Sequence, residues 1–321
     1  MGRYDLVVLG DVNMDYVVAR SLSFPLSSVR ENGLIYWEDI EEVPGGSGLN
    51  LCAFAAGAGH ECLMLGKVGN DAAGAVITAW LTARGVGRPA RWTDASPTGK
   101  ALIMRDSAGV RLIINNRVNA NHSLSVPDVE ENAPALASCQ VLYVSGYCVM
   151  DPGAARHDAA LRAMTLARSG DQPPAIVFDV VPHRIHETVS FDRFRENTRN
   201  VDILISEVAT MRRFLGLGSA GENIDAAMAL QTAELVAGFY PRAALRYGPS
   251  GCDHEVLMDT GAGLLVQHAT GHRQVSDKRG YGDRLALSAL QEFFHVLPAA
   301  TGAGRPAAGR GDFSTGTGPG G

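Results

Sequence analysis

This chain of 321 residues has few lysines, no run of positive charge and no long apolar stretch. Only three of its 28 lysine and arginine residues are lysines, and its net charge at pH 7 is −6. A chain without a basic cluster is not expected to bind nucleic acid or anionic membranes. No apolar run approaches the roughly 20 residues of a membrane-spanning helix. The N-terminus leads into a strand pattern without a secretory signal, which predicts a cytoplasmic protein.

Paired cysteines are absent as well. The cysteines are odd in number, and no two of them have the spacing of metal ligands or of a redox pair. They are Cys52, Cys62, Cys139, Cys148 and Cys252. We therefore expect free, mostly buried thiols in a reducing compartment. With 46% hydrophobic and 19% charged residues, the composition is typical of a globular protein with one sizeable core.

Strand and helix patterns alternate along much of the chain. Apolar runs that end in glycine or polar residues predict strands at 4–9, 62–69, 140–145, 175–178, 201–205 and 243–247. Helical patterns lie at 74–84, 154–168 and 224–238. Such alternation predicts βαβ units in a doubly wound, mostly parallel α/β sheet with helices on both faces. The polar turns after the strands are then expected to share one cleft.

Short strand patterns that do not alternate with helices predict a second, small sheet. They lie near 16–18 and 34–37, and a hairpin is expected where 101–104 and 111–114 flank an Asp-Ser-Ala-Gly turn. We assign 16–40 and 98–118 to a β lid within a domain of residues 1–298. Residues 299–321 are rich in Gly, Pro, Ala and Thr and predict a disordered tail.

One late stretch, Gly280-Tyr281-Gly282-Asp283, has the composition of a phosphoryl-transfer site. Glycine lets a ligand approach the backbone, and the helix predicted to follow directs amide groups and a positive dipole end at an anion. A carboxylate is unsuited to binding an anion, but it can take a proton from an attacking hydroxyl. Taken alone, such a stretch is more often a loop with an ordinary helix cap.

Two polar stretches near the N-terminus are candidates for holding a substrate. Asn13 and Asp15 follow the first strand and, in an extended segment, face the same side, where both could bond neighbouring hydroxyls. An Asx turn is the alternative interpretation. The second stretch is a glycine cluster, 45–48, that leads into a small-residue helix opened by Asn50.

In combination, these motifs resemble the ribokinase-like (PfkB) family of carbohydrate and nucleoside kinases over about residues 4–296. The stretch 45–50, together with 66–71 and Gly74, looks like the N-terminal signature of the family. The stretch 277–283 looks like its C-terminal signature, usually Asp-Thr-x-Gly-Ala-Gly-Asp. The resemblance implies a doubly wound α/β domain with a β lid, often used to form a homodimer. It also implies ATP-dependent phosphorylation of a small sugar, sugar acid or nucleoside.

The resemblance also implies roles for individual residues. Asp283 would be the base, and the amides of Gly280, Tyr281 and Gly282 would form the anion hole. Substrate hydroxyls would be held by Asn13, Asp15, Gly45, Gly46 and Asn50. ATP would lie along Ser206, Arg246, Gly248, Gly251 and Lys278. Mg²⁺ would bridge the ATP phosphates, and Asp277 would help to hold a monovalent cation such as K⁺.

The chain departs from the family pattern in three places. Lys278 and Tyr281 replace the usual Thr and Ala, and the Asn-x-x-Glu that organises Mg²⁺ falls at 206–209, where only Glu207 offers a carboxylate. The tail stands where family members have further helices that help to build the adenine pocket. A degenerate member that binds a sugar-like ligand with little transfer is therefore the alternative. A dinucleotide oxidoreductase would need Gly-x-Gly-x-x-Gly after the first strand, and the segment 10–13 lacks it.

Overall fold

The computed structural model describes residues 4–18, 39–86, 91–105, 111–219, 221–271 and 279–299. The strands are β1 (Leu6–Leu9), β2 (Asn13–Val18), β3 (Ile40–Gly45), β4 (Cys62–Leu65), β5 (Lys67–Gly69), β6 (Arg91–Thr93), β7 (Gly99–Arg105), β8 (Arg111–Asn115), β9 (Val141–Ser145), β10 (Ala175–Val180), β11 (Ile203–Glu207), β12 (Arg242–Tyr247), β13 (His254–Asp259) and β14 (Leu264–Ala269). The helices are α1 (Ser47–Gly57), α2 (Ala72–Ala83), α3 (Val126–Glu130), α4 (Ala133–Ser138), α5 (Ala155–Ala167), α6 (Phe191–Asn197), α7 (Val208–Phe214), α8 (Ala226–Ala237) and α9 (Tyr281–Ser288). A π-helical turn, Ala289–Phe293, extends α9.

The large sheet has eight strands in the order β14-β13-β12-β11-β10-β9-β1-β4. The six adjacent strands β4, β1, β9, β10, β11 and β12 are parallel, and β13 and β14 add an antiparallel hairpin at the β12 edge. Every residue of β1 and β9 is buried. Val7 and Leu9 belong to one hydrophobic core, and Leu6 and Val8 to the other. Strands covered on both faces are typical of doubly wound α/β folds, and the predicted fold class is confirmed.

Glycines bring the start of α1 and the end of β1 into contact. A Cβ atom on Gly10 would lie 2.8 Å from the Cα of Gly48, the second residue of α1. A side chain at either position would separate the helix from the sheet. The close approach places the glycine cluster before α1 at the carboxyl edge of the sheet, where α/β folds bind ligands.

The strand predicted at 62–69 is divided in two. β4 belongs to the large sheet, whereas β5 pairs with β6 in a separate two-stranded sheet. Gly66 separates them, and a Cβ atom there would lie 2.6 Å from Cγ2 of Val12 and 3.1 Å from the carbonyl oxygen of Gly10. The chain therefore turns away from the large sheet at Gly66, where it packs so closely on Val12 that a side chain would not fit.

A four-stranded sheet in the order β3-β2-β7-β8 corresponds to the predicted small sheet. β2 pairs with β7 in parallel, and β7 and β8 form the expected antiparallel hairpin, with Ala101 opposite Asn115. The strand predicted at 34–37 lies outside the described residues, as do 300–321 of the predicted tail. Asp277 and Lys278 also lie outside them.

The cysteines agree with their prediction. All five are free, four of them are buried, and Cys252 is half-buried. Among the described residues, no helix has both the length and the apolar character needed to cross a membrane.

Candidate active site

A left-handed turn at Gly280 opens α9 and fixes the position of the predicted base. Gly280 has φ 60° and ψ 22°, a conformation that favours glycine. The first intrahelical hydrogen bond runs from the Arg284 amide to the carbonyl oxygen of Gly280, at 3.0 Å. The amides before Arg284 therefore lie outside the ladder of the helix and point out of its positive end. Asp283 lies within this first turn.

Asp283 is half-buried and joined to the glycine cluster before α1. Its Oδ2 accepts a hydrogen bond from Nδ2 of Asn50 at 3.1 Å. Burial raises the pKa of Asp283 well above its ordinary value, and the negative charge of Asp179 raises it further. The Asn50 hydrogen bond and the charge of Arg246 act in the opposite direction. A carboxylate with a raised pKa is a stronger base, as proton abstraction from a hydroxyl requires.

Asn13 and Asp15 lie on β2, and both are half-buried. Oδ1 of Asn13 accepts a hydrogen bond from Nδ2 of Asn121 at 2.9 Å, which fixes the amide. The carboxylate of Asp15 lies over Gly45, where a Cβ atom would be 2.0 Å from its Oδ2. Both side chains are therefore held in place by the surrounding protein, which lowers the entropy cost of binding a hydroxyl.

Asp11 ties the glycine cluster to the end of β1. Its carboxylate accepts hydrogen bonds from the Ser47 hydroxyl at 2.7 Å and the Ser47 amide at 3.2 Å. Gly46 has φ 102°, and a Cβ atom there would lie 2.7 Å from the carbonyl oxygen of Asp11. The structure thus brings the predicted substrate residues together around the start of α1, and Asn50 joins them to Asp283.

Four of the five predicted nucleotide residues, all except Lys278, lie at or just after the ends of β11 and β12. Gly248 and Gly251 both have positive φ, of 107° and 79°, and the Gly251 amide donates to the carbonyl oxygen of Gly248 at 2.9 Å. A Cβ atom on Gly251 would lie 2.7 Å from Oε1 of Glu207. Oε2 of Glu207 is 3.0 Å from Nδ1 of His183. The turn therefore lies between two carboxylates, because a Cβ atom on Gly248 would also be 2.8 Å from Oδ2 of Asp253.

Ser206 and Glu207 face opposite sides of the sheet, as neighbours in a strand do. Ser206 is only 1% exposed, and its hydroxyl donates to the carbonyl oxygen of Glu207 at 3.1 Å. Glu207 is half-buried and reaches the Gly248–Gly251 turn. The carboxylate thus faces the predicted nucleotide groove, whereas the Ser206 hydroxyl is used inside the protein.

Three buried ionisable residues of the site were missed by sequence reasoning. Oδ2 of Asp179 accepts hydrogen bonds from the Tyr143 hydroxyl at 2.9 Å and from Nη2 of Arg246 at 3.2 Å. Nε of Arg246 lies 4.0 Å from Oε1 of Glu255, which is 2% exposed. Asp179 follows a predicted strand and could have been found from that position. Tyr143 lies in an apolar run and Glu255 on an unpredicted strand, so neither gives a signal.

The architecture is that of the ribokinase-like kinases. It matches adenosine kinase from Sinorhizobium meliloti with a TM-score of 0.73 and 22% identity, over 93% of this chain and 92% of that one. Ribokinase from Cryptococcus neoformans var. grubii serotype A, in complex with ADP, matches with a TM-score of 0.70 and 21% identity. The match covers 92% of this chain and 91% of the ribokinase. A putative ribokinase II from E. coli, in complex with ATP and Mg²⁺, matches with a TM-score of 0.67 and 18% identity. The match covers 92% of this chain and 89% of that one. At these identities the likeness establishes the fold.

The family follows from the sequence comparison. The model of the pfkB family carbohydrate kinases matches residues 3–238, and the chain belongs to this family. Fructosamine kinase FrlD of Bacillus subtilis (strain 168) is 28% identical over 124 residues. That match covers 38% of this chain and 44% of the relative, less than half of its length.

Proposed function

We propose that this protein transfers a phosphoryl group from ATP to a hydroxyl of a small sugar, sugar acid or nucleoside. The observation that carries the proposal is the first turn of α9. It places a carboxylate with a raised pKa, Asp283, beside amides that point out of the helix. Asn50 bridges this turn to the residues around Asn13 and Asp15. This arrangement supports an acceptor site, a base and an anion site that adjoin one another, as phosphoryl transfer requires.

Asp283 acts as the base in this proposal. It takes the proton of the acceptor hydroxyl as the oxygen attacks the γ-phosphorus, which contributes roughly 10²–10⁴-fold to the rate. Asn13 and Asp15 position the acceptor through its neighbouring hydroxyls. The amides at the start of α9 stabilise the charge on the transferred group, and one such donor contributes about 10²–10³-fold.

The residues are compatible with Mg²⁺ delivered on ATP. Within the described segments, no group of three or more His, Cys, Asp or Glu side chains is arranged to hold a metal ion. Mg²⁺ in kinases keeps several waters and binds to the phosphates with only one or two carboxylates. Glu207, beside the Gly248–Gly251 turn, would bind its waters. When bound, the ion neutralises phosphate charge. The ATP and Mg²⁺ complex of the E. coli neighbour supports this proposal.

The homodimer and the cytoplasmic location are also part of the proposal. The outer strand of the small sheet, β8, exposes apolar side chains, with Ile114 51% and Leu112 40% exposed. These side chains support association of two copies through the β lid, which a sedimentation or light-scattering measurement of the mass would test. The K⁺ site at Asp277 stays a prediction.

Purified protein tests the function by ATP consumption with Mg²⁺ across a panel of sugars, sugar acids and nucleosides. We expect turnover with one class of acceptor and its loss in Asp283→Asn. Asp192→Asn is the matched control, because Asp192 also lies in the first turn of a helix, α6, that contributes no residue to the site. Ligand binding by folded protein without any ATP turnover would refute the kinase and support the degenerate binder.

A further inference from the structure

The guanidinium of Arg246 lies against the first turn of α9. A Cβ atom on Gly282 would be 2.6 Å from Nη1 of Arg246 and 3.9 Å from its Cζ. Gly282 immediately precedes the base, Asp283, on the helix. The absence of a side chain at 282 therefore leaves room for a cationic group at the position where the helix begins. Arg246 is 7% exposed, so this cation is shielded from bulk water.

Two carboxylates hold Arg246 in place, one from the adjacent strand β13 and one from β10, which lies two strands away in the sheet. Asp179 on β10 bonds Nη2 at 3.2 Å, and the Tyr143 hydroxyl fixes Asp179 in turn. Glu255 on β13 lies 4.0 Å from Nε. Burial is the largest single effect and opposes the charge on Arg246, but the acidic groups around it, with Asp179 foremost, together outweigh burial and raise the pKa of Arg246 above its usual value. The guanidinium is thus positively charged at every physiological pH.

Stability alone does not account for the buried cluster of Arg246, Asp179 and Glu255. Buried ion pairs contribute little compared with apolar side chains of the same volume, because desolvation offsets their attraction. Within the described residues, Nε of Arg246 and Oε1 of Glu255 are buried without a hydrogen-bond partner. A cluster designed only for stability would satisfy both atoms. A buried guanidinium with unused donor capacity beside a helix start is instead suited to an anionic ligand.

We propose that Arg246 is a catalytic residue whose guanidinium contacts the transferred phosphoryl group beside the α9 amides, and that Asp179 and Glu255 are the positioning residues that hold it there. This inference rests on the proposed phosphoryl transfer. In that step the bond from the γ-phosphorus to the bridging oxygen of ADP breaks, and the acceptor oxygen bonds to phosphorus. The acceptor proton passes to Asp283. Arg246 forms no covalent bond and supplies charge and donor groups to the phosphoryl oxygens.

Arg246→Met tests the contact through ATP and ADP affinity together with kcat. A group that touches the γ-phosphoryl favours ATP over ADP, so the variant should lose this preference while ADP binds as before. We expect kcat to fall by about 10²–10³-fold, as for the loss of one donor to developing charge. Arg246→Lys keeps the charge but not the planar fork, and should restore part of kcat.

Two further variants separate catalysis from misfolding. Arg212→Met is the matched control, because Arg212 is also 7% exposed and paired with a carboxylate, Glu222 at 3.1 Å, and neither residue is assigned to the site. Its kcat and nucleotide preference should match the wild type. Asp179→Asn with Arg246→Met removes both charges of the hydrogen-bonded pair together, so the double variant should fold and show the same loss of ATP preference.

The positioning residues are tested by the balance of kcat and KM. Glu255→Gln keeps Arg246 charged but weakens its support, and should lower kcat about tenfold while the acceptor KM stays unchanged. A purely structural role for Glu255 would leave kcat per folded molecule unchanged, and this result would remove Glu255 from the proposal.

The failure of this inference can be told apart from the failure of the proposed function. A folded Arg246→Met that keeps the wild-type kcat and ATP preference would overturn the role of Arg246 and leave the kinase intact. A wild-type protein that turns over no acceptor, yet prefers ATP to ADP only while Arg246 is present, would support the contact and refute the kinase.

Discussion

Replacing Glu255 by glutamine should stabilise the protein at alkaline pH and leave its stability at acid pH unchanged. Glu255 is 2% exposed, and burial raises its pKa from 4.5 to about 7, against the opposing charge of Arg246. Between these values the folded protein binds a proton that the unfolded chain releases. The contribution of Glu255 to the free energy of unfolding is thus complete below pH 4.5 and is lost as the pH rises through 7.

Glutamine resembles the protonated carboxyl and does not titrate. The difference in unfolding free energy between Glu255→Gln and the wild type should therefore grow from near zero at pH 4.5 to on the order of 3 kcal/mol at pH 8. Urea unfolding followed by circular dichroism at both pH values measures it. A variant that is less stable than the wild type at pH 8, or a difference that does not change with pH, would refute the reasoning.

Asp128→Asn is the control of opposite sign. Burial works against its charge, but hydrogen bonds from Lys67 and Ser125 lower the pKa of Asp128, and Lys67 Nζ lies 2.8 Å away. The stability that Asp128 contributes is present above its unfolded pKa and is lost as the pH falls through the folded one. Asp128→Asn should consequently destabilise the protein most at neutral pH, and least in acid.

The other predictions concern the geometry of the site. Asn50→Ala removes a donor that lowers the pKa of Asp283, so the acid limb of the kcat/KM profile should move to higher pH. Gly45→Ala puts a Cβ atom 2.0 Å from Oδ2 of Asp15, and displacement of this carboxylate should raise the acceptor KM, measured by initial rates. Gly280→Ala forces a side chain to φ 60°, and should lower the free energy of unfolding in urea by about 1–2 kcal/mol. An unshifted acid limb, an unchanged KM or an unchanged urea midpoint would contradict the respective prediction.

Local patterns predicted the parallel sheet, the hairpin of the small sheet and the glycine turns. They succeeded because βαβ alternation and Gly-rich turns are encoded within a few residues. The order of strands and the meeting of Asn50 with Asp283, 233 positions apart, depend on tertiary packing. The motifs could place these two residues in one site only through the family resemblance.

Three features could not be predicted from the sequence, each for a physical reason. The hairpin of β13 and β14 turns at Gly263, with φ 64°, but β14 is mostly exposed on both faces and therefore shows no apolar alternation. The division at Gly66 follows from a contact with Val12 and not from any local pattern. Neighbouring residues of a strand face opposite sides, so an error of one position in β11 changes which side chain enters the groove. The side chain in the groove is Glu207, and the neighbouring Ser206 is buried.

The most direct test of phosphoryl transfer is the rate of product formation in a single turnover, compared between the wild type and Asp283→Asn with ATP affinity measured on the same samples. With Asp283 as the base, the rate should fall by roughly 10²–10⁴-fold while ATP binds as tightly as before. Product formation by Asp283→Asn at the wild-type rate would contradict the account, because the residue that the first turn of α9 holds at the anion site would then have no part in the reaction.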